Sequence, residues 1–239
     1  MVPGTTSCRA FLMPVQYIIK EWDFRELKLT MCPPVFIPRP ETEQLVDLVL
    51  AAAAARPHDR QLFLEVGCGS GTICLSLLKA LPQARVIAVD QSKMACQLTS
   101  NNALLNGLAT NLQVLHSKLK EDGSLSEPLP QNVRQVDMLV SNPPYVPSSQ
   151  LVNLEPEIKL YEDLRALEAG RDGLRVIKSL LMLAQSVLRP GGLIFLEVDT
   201  SHPQLIQKWV ADRPHLNITF VKTVKDYCDR ERFVELIKL

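Results

Sequence analysis

The chain has 239 residues, of which 46% are hydrophobic, and it carries 26 basic and 26 acidic side chains. This length and composition predict one compact domain with a substantial core and exclude a disordered chain. Because the charges balance, no overall field attracts a polyanion, and direct binding of nucleic acid is not expected. No run of roughly 18 apolar, uncharged residues is present, so the sequence predicts no membrane span.

The first 40 residues are predicted to form an appendage to the main domain. Residues 1–13 lack clear periodicity and are predicted to be a loose lead-in. Residues 16–37 contain two short apolar and aromatic stretches, which predict a β-hairpin closed by proline-rich breaks. The predicted division is therefore a lead-in over 1–13, a β-hairpin linker over 14–40 and a main domain over 41–239.

Beyond residue 40, helical and extended patterns alternate. A helix is predicted over 41–55, because Leu45, Leu48 and Val49 share one helical face. The alternation that follows indicates an α/β fold with a doubly wound parallel sheet. The predicted strands span 62–66, 85–89, 112–116, 136–140 and 193–198, and the predicted helices span 72–80, 92–105, 172–188 and 202–212.

Four other segments complete the predicted domain. Two β-rich runs, 217–224 and 232–239, predict antiparallel strands at or near the sheet edge. The polar segment 118–135 predicts a surface loop. Residues 147–171 are expected to be partly helical and to face the substrate.

A glycine-rich turn lies between the first strand of the predicted sheet and the next helix. Its sequence is Gly67-Cys68-Gly69-Ser70-Gly71. Glycines allow the backbone to approach a ligand closely, and the N-terminus of a helix favours a negative group such as a carboxylate. The spacing is G-x-G-x-G, whereas the dinucleotide fingerprint is G-x-G-x-x-G, so a pyrophosphate cofactor and a nicotinamide-dependent oxidoreductase are disfavoured.

Asp90 ends the next predicted strand. Its carboxylate is placed to accept hydrogen bonds from both ribose hydroxyls of a nucleoside. Ligands of doubly wound sheets bind outside the carboxyl ends of the strands, where the glycine turn and Asp90 both fall. Together they predict a nucleoside cofactor.

The tetrapeptide Asn142-Pro143-Pro144-Tyr145 follows the predicted strand 136–140. The Asn142 side-chain oxygen and the Pro143 carbonyl can each accept one N–H bond of an amide or aromatic amino group. The delocalised lone pair of that nitrogen is then aimed at a methyl donor. Proline geometry orients both acceptors in advance, and Tyr145 can cover the planar group, contributing about 1 kcal/mol. Alone, the motif also fits a proline-rich loop that ends a strand.

These motifs resemble the class I S-adenosylmethionine-dependent methyltransferases. The match narrows at Pro14-Val15-Gln16-Tyr17-Ile18-Ile19, at Trp22-Asp23-Phe24 and at Phe36-Ile37-Pro38-Arg39-Pro40-Glu41-Thr42-Glu43, which resemble the linker signature of the HemK/PrmC family. This family comprises protein release factor glutamine N5-methyltransferases. The resemblance covers residues 14–234 and implies a seven-stranded, Rossmann-like, mostly parallel sheet with a C-terminal antiparallel hairpin.

The resemblance also implies ligands and roles. The cofactor would be S-adenosyl-L-methionine, and the substrate would be the glutamine of the Gly-Gly-Gln motif in a peptide chain release factor. Asn142, Pro143 and Tyr145 would be catalytic, and Asn142, Pro143, Pro144 and Tyr145 would bind the target amide. Cofactor contacts are expected from Phe36, Thr42, Gly67, Cys68, Gly69, Ser70, Gly71, Asp90, Ser117, Leu119 and Asn142.

The sequence departs from the family pattern at four places. Ser117-Lys118-Leu119 replaces an acidic and an aromatic residue near the adenine, so we expect different adenine contacts. Lys20 replaces a glycine, and the substrate-side loop has its own sequence at 159–163. Only about a dozen residues precede Pro14, where the family carries a helical domain, so we expect docking of the release factor to be weakened or lost.

Two other functions fit part of the pattern. N6-adenine methylation of nucleic acid needs the same two acceptors, but it also calls for stacking aromatics and a basic groove. Aromatic residues make up 5% of the chain, and the charge is balanced. An inactive cofactor-binding subunit is the third candidate, because the helical domain of the family is absent before Pro14 and Lys118 lies in the adenine region.

The remaining histidines, cysteines and acidic residues indicate no further chemistry. The four histidines lack the spacing of a metal site, and no metal is expected. The six cysteines, including Cys8, predict free thiols. Glu197 ends the last parallel strand, either touching substrate or lying solvated. No general base is required, since positioning dominates methyl transfer.

A mitochondrial location follows from the resemblance to eukaryotic family members, and we expect a monomer.

Overall fold

The structure is a computed structural model that describes residues 12–56 and 60–239. The predictions for Cys8, His58 and nearly all of the lead-in lie outside these residues. The strands are β1 (Glu21–Phe24), β2 (Leu27–Thr30), β3 (Leu62–Val66), β4 (Arg85–Asp90), β5 (Leu112–His116), β6 (Val136–Ser141), β7 (Leu188–Glu197), β8 (Ile218–Lys225) and β9 (Glu231–Lys238). The α-helices are α1 (Val15–Ile19), α2 (Thr42–Ala54), α3 (Thr72–Ala80), α4 (Lys93–Leu105), α5 (Pro156–Tyr161), α6 (Arg175–Val187) and α7 (Pro203–Ala211).

A seven-stranded sheet forms the centre of the molecule, in the order β5-β4-β3-β6-β7-β9-β8. Strands β3 to β7 pair in parallel, whereas β9 pairs antiparallel with both β7 and β8. The order reverses at β3, with β4 on one side and β6 on the other. Since ligands of such sheets bind where the order reverses, this topology places the binding edge beside β3, β4 and β6.

Two apolar layers cover the sheet. Side chains alternate along β3, so Phe63 packs into one layer and Leu64 into the other. Helix α6 buries Ile177, Leu180 and Ala184 in the second layer, which is the spacing of one helical face. Burial of the Ile177 or Leu180 side chain contributes roughly 1.5–3 kcal/mol relative to an exposed one. This packing fixes the strand ends that carry the site.

The β-hairpin is present but shorter than the sequence indicated. The prediction of extended structure from residue 16 was wrong, because residues 16–19 belong to helix α1. Pro14 explains the difference, since its carbonyl accepts hydrogen bonds from the N–H groups of Tyr17 and Ile18 and closes a helical turn. Lys20, in the left-handed conformation, ends this helix before β1 begins.

The hairpin is anchored to the glycine turn through Asn102 of α4. The Asn102 side chain accepts a hydrogen bond from the Thr30 N–H at 2.8 Å and donates to the Thr30 carbonyl at 3.1 Å. The same amide nitrogen donates to the carbonyl of Ser70 at 2.9 Å. One buried side chain therefore sets the position of the linker relative to the turn.

Most predicted boundaries agree with the structure, and two differ. Helix α6 begins at Arg175 rather than 172, because Gly173 has a φ of +72°, outside the helical region. Strand β7 begins at Leu188 rather than 193, and its pairing with β6 is irregular between Val136 and Met138. The segment 118–135 is largely irregular, and 147–171 is partly helical, as expected. Within the described ranges, no helix is long and apolar enough to cross a bilayer.

Candidate active site

The predicted site residues converge on one cleft at the carboxyl ends of the parallel strands. Gly67 follows β3, Asp90 ends β4, and Asn142 follows β6. The walls of the cleft also include residues of the linker and of the segment 163–167. Thirteen of the predicted residues line it: Phe36, Thr42, Gly67, Cys68, Gly69, Ser70, Asp90, Ser117, Leu119, Asn142, Pro143, Pro144 and Tyr145.

Gly71 does not line the cleft but caps helix α3. Its φ is +88°, a conformation that favours glycine. A Cβ atom at this position would lie 3.1 Å from side-chain atoms of both Leu75 and Thr99. Gly71 therefore permits the turn and its packing against α4. Its predicted contact with a cofactor stays a prediction.

Asp90 holds the glycine turn in place. One carboxylate oxygen accepts a hydrogen bond from the Gly69 N–H at 3.0 Å, and the other accepts from the Ser92 N–H at 2.8 Å. Burial raises the pKa of this carboxyl above its ordinary value, while these two bonds oppose the shift. Each carboxylate oxygen has more than one acceptor site, so Asp90 can also accept hydrogen bonds from a ligand.

Glu65 is a buried acid of the cleft that the motif analysis did not single out. It is 2% exposed, lines the cleft and accepts a hydrogen bond from the Cys74 N–H at 2.9 Å. Burial raises its pKa to about 8. An ionisable residue inside the apolar run Leu62 to Val66 was the available sequence signal, since such residues are rarely buried without a reason.

Neutralising Glu65 is expected to stabilise the free protein at alkaline pH. The folded-state pKa lies above the unfolded value, so the carboxyl contributes stability that is complete below about pH 4.5 and is lost as pH rises through about 8. Between pH 6 and pH 9, wild type should lose on the order of 2 kcal/mol that Glu65→Gln keeps. Chemical denaturation across this range measures the difference.

Glu235→Gln, on β9, is the matched control for this measurement. Its carboxylate is partly buried and pairs with Lys222 at 3.2 Å, away from the cleft. The free energy of unfolding of the Glu235→Gln variant should have the same pH dependence as that of wild type. If the free energy of unfolding had the same pH dependence in wild type and in Glu65→Gln, the assignment of a raised pKa to Glu65 would be contradicted.

The N-P-P-Y segment is fixed to its neighbours at both ends. Before it, the Ser141 hydroxyl donates to the Val66 carbonyl at 2.6 Å. After it, the Val146 N–H donates to the Leu167 carbonyl at 2.8 Å, and the Val146 carbonyl accepts from the Ala169 N–H at 2.9 Å. Pro143 is buried, and Tyr145 is largely buried, which raises its pKa to about 12. The segment therefore presents its acceptors from a rigid frame.

The linker signature closes one side of the cleft. The Phe36 ring lies 4.7 Å from the Arg39 guanidinium carbon, and Arg39 pairs with buried Glu162 at 2.8 Å. The Asp163 N–H donates to the Pro34 carbonyl at 2.8 Å. The segment that contains Glu162 and Asp163 thus holds the linker against the cleft. The sequence analysis did not predict this ion pair, because Arg39 and Glu162 are 123 positions apart in the chain.

The end of β5 carries Ser117-Lys118-Leu119, where the sequence departs from the pattern of the family that it resembles. Ser117 is buried, and its hydroxyl donates to the Glu127 carbonyl at 2.9 Å. Leu119 lines the cleft, whereas Lys118 is exposed and does not. An apolar side chain therefore lines the wall at this strand end, and the exposed Lys118 lies outside the lining.

Glu197 is neither solvated nor part of the cleft wall. The expectation of a solvated strand end was wrong, because Glu197 is 1% exposed. Its side chain accepts a hydrogen bond from the Thr42 hydroxyl at 2.8 Å. Thr42 in turn accepts a hydrogen bond from the Asn142 side-chain nitrogen at 3.2 Å. The acid therefore contacts the site through Thr42.

The chain was compared with known protein families and proteins. Residues 43–156 match the family model described as "Methyltransferase small domain". The human MTRF1L release factor glutamine methyltransferase is 47% identical over 236 residues, covering 97% of this chain and 69% of the relative. The chain belongs to the release factor glutamine methyltransferase family. This confirms the resemblance to the HemK/PrmC family.

Bacterial members of the release factor glutamine methyltransferase family are similar as well. The enzyme of Gloeobacter violaceus is 36% identical, covering 93% of this chain and 73% of the relative. Among solved structures, the Thermus thermophilus 16S rRNA N2 G1207 methyltransferase RsmC, in complex with AdoMet and guanosine, has a TM-score of 0.59 and 18% identity. The match covers 91% of this chain and 49% of RsmC, and it agrees with the class I methyltransferase fold.

Proposed function

We propose that this chain transfers a methyl group from S-adenosyl-L-methionine to the N5 atom of the glutamine in the Gly-Gly-Gln motif of a peptide chain release factor. The observation that carries the proposal is the placement of Asn142 and Pro143 in one cleft with the glycine turn and Asp90. Membership of the family supports the substrate. The fold shared with a methyltransferase solved with AdoMet supports the cofactor.

The cofactor is assigned to the side of the cleft formed by β3, β4 and β5. The glycine turn would receive its amino-acid end, and Asp90 would accept hydrogen bonds from its ribose. Leu119 gives the adenine an apolar surface, and Ser117 shapes the wall beside it. Phe36 and Thr42 would close the cleft over the reacting groups.

The acceptor glutamine is assigned to the N-P-P-Y segment. The Asn142 side-chain oxygen and the Pro143 carbonyl would each accept one N–H bond of the substrate amide, and Tyr145 would pack on its plane. Transfer forms the bond from nitrogen to the methyl carbon as the bond from sulfur to that carbon breaks. The products are N5-methylglutamine and S-adenosylhomocysteine, and the released proton passes to solvent. Orientation of the nitrogen is therefore the main contribution of the protein.

Labelling with S-adenosyl-L-methionine that carries a tritiated methyl group tests this function. The purified chain is incubated with a release factor, with the same release factor carrying Gln→Asn in its Gly-Gly-Gln motif, or with duplex DNA. Label is expected only in the unaltered release factor. Label in DNA would favour adenine methylation, and cofactor binding without label in any substrate would favour an inactive subunit. A mitochondrial location and a monomeric state remain part of this proposal.

A further inference from the structure

A chain of three hydrogen-bonded side chains lies behind the acceptor site. The Asn142 side chain donates to Thr42, which lies 100 positions away in the chain. Thr42 in turn donates to Glu197, which lies 155 positions away. Thr42 is the first residue of α2 and is 3% exposed, and Glu197 is the last residue of β7 and is 1% exposed. Both are therefore shielded from solvent that could otherwise satisfy them.

The single proton of the Thr42 hydroxyl sets the direction of this chain. Because the hydroxyl donates that proton to the Glu197 carboxylate, its oxygen is left to accept a hydrogen bond from Asn142. The nitrogen end of the Asn142 carboxamide is then committed to Thr42. The oxygen end stays available as an acceptor, which is the end that a substrate N–H requires.

We propose that Thr42 and Glu197 are positioning residues that fix the orientation of the Asn142 carboxamide, with ionised Glu197 as the state that supports methyl transfer. This inference rests on the proposed function, because the orientation matters for a substrate that donates N–H bonds. Neither residue contacts the transferred methyl group in this role. Thr42 acts on Asn142 directly, and Glu197 acts through Thr42 and through its own interaction with the Asn142 amide.

Burial, together with the groups that surround Glu197, places its titration near neutrality. Burial raises its pKa to about 7, against the opposing effects of the Thr42 hydrogen bond and the Arg232 guanidinium. Glu41, at the start of α2, raises it further, and the Asn142 amide lowers it. Tyr145 also faces this carboxyl, but the Tyr145 pKa is about 12, so its hydroxyl stays neutral over the same range.

Protonation of Glu197 allows the chain to run in the opposite direction. An ionised carboxylate can only accept, whereas a protonated carboxyl can donate to the Thr42 oxygen, and in that arrangement the Thr42 proton turns toward Asn142. The carboxamide must present its oxygen to Thr42 and its NH₂ group to the substrate. Two donors then face each other, and the target nitrogen loses one of its two acceptors. Transfer is therefore expected to fall as pH decreases through about 7.

The experiment measures kcat from pH 5.5 to pH 9 at saturating cofactor and release factor. Wild type should lose about tenfold for each unit below its apparent pKa. Glu197→Gln should show no acidic limb in this range, because a carboxamide cannot ionise and its oxygen can still accept from Thr42. Thr42→Val should lower kcat roughly 10- to 100-fold, and Thr42→Ser should restore most of the loss. The matched control Glu235→Gln should keep the wild-type profile.

A second measurement separates this inference from the substrate assignment. The ¹⁵N-labelled side-chain amide of Asn142 is followed by NMR against pH in the free protein, with Asn142→Ala used to assign the signal. Its shift should titrate near pH 7 in wild type and stay flat in Glu197→Gln. A flat signal in wild type, or an unchanged acidic limb in Glu197→Gln, would overturn the inference. Failure to label any release factor would contradict the proposed function but not the coupling of Glu197 to Asn142, because the NMR titration needs no substrate.

Discussion

Replacing Asn142 with alanine is expected to lower kcat for release-factor methylation by roughly two to three orders of magnitude. The substitution removes the side-chain acceptor that holds one substrate N–H, so the lone pair of the target nitrogen is no longer aimed at the methyl donor. Binding of S-adenosyl-L-methionine should change less than about threefold, because the glycine turn and Asp90 are held by their own hydrogen bonds. Single-turnover transfer and calorimetric cofactor binding measure the two quantities separately.

Two further variants make the Asn142 result specific. Asn142→Asp keeps the size and one acceptor oxygen but cannot donate to Thr42, and it places a second carboxylate near Glu197. It should lose transfer as severely as the alanine variant. Asn111→Ala is the matched control, since Asn111 also donates through its side chain, to the Pro82 carbonyl at 2.9 Å, but lies outside the cleft. Transfer retained by Asn142→Ala would refute the role assigned to this side chain.

The sheet could be predicted from the sequence because its signals are local. Strand β3 and helix α3 have the predicted bounds, since an apolar run, a glycine turn and a helical pattern follow one another directly. Convergence of Gly67, Asp90 and Asn142 also followed, because parallel strands place their carboxyl ends on one edge. The cleft confirms this convergence, while the roles of the three residues stay predictions.

The polar contacts behind the cleft could not be predicted in the same way. Arg39 with Glu162, and Thr42 with Glu197, join residues 123 and 155 positions apart. Neither pair produces a periodic pattern in the sequence that would predict the contact. Acids are rarely buried, so the sequence left open whether Glu197 contacts substrate or lies at a solvated strand end. Its burial depends on β9 and α2 packing over the end of β7, which is a property of the tertiary structure.

Gly173 shows how a local pattern can hide a constraint on the site. The predicted helix 172–188 included it, yet its φ of +72° excludes it from α6. A Cβ atom here would lie 2.5 Å from the Tyr145 carbonyl oxygen and 2.8 Å from the Nε2 atom of buried His202. The backbone of Gly173 therefore occupies the space between the end of the N-P-P-Y segment and α7.

Gly173→Ala is accordingly expected to destabilise the protein by about 2–4 kcal/mol and to impair transfer. Part of the cost is the left-handed conformation, which disfavours alanine by about 1 kcal/mol. The rest comes from displacing the Tyr145 carbonyl, because a backbone atom cannot move aside as a flexible side chain can. Since Tyr145 adjoins the acceptor prolines, kcat should fall roughly 10- to 100-fold even where the variant remains folded. Urea unfolding and methyl transfer at low temperature measure the two effects.

Gly107→Ala separates the conformational cost from the steric one. Gly107 has a φ of +69°, close to that of Gly173, but a Cβ atom there meets nothing within 4 Å. This variant should lose only about 1 kcal/mol and keep wild-type transfer. Equal destabilisation of the two variants would show that the close approach to Tyr145 contributes nothing. If Gly173→Ala lost stability but kept its kcat, the packing of this glycine would be independent of the acceptor site.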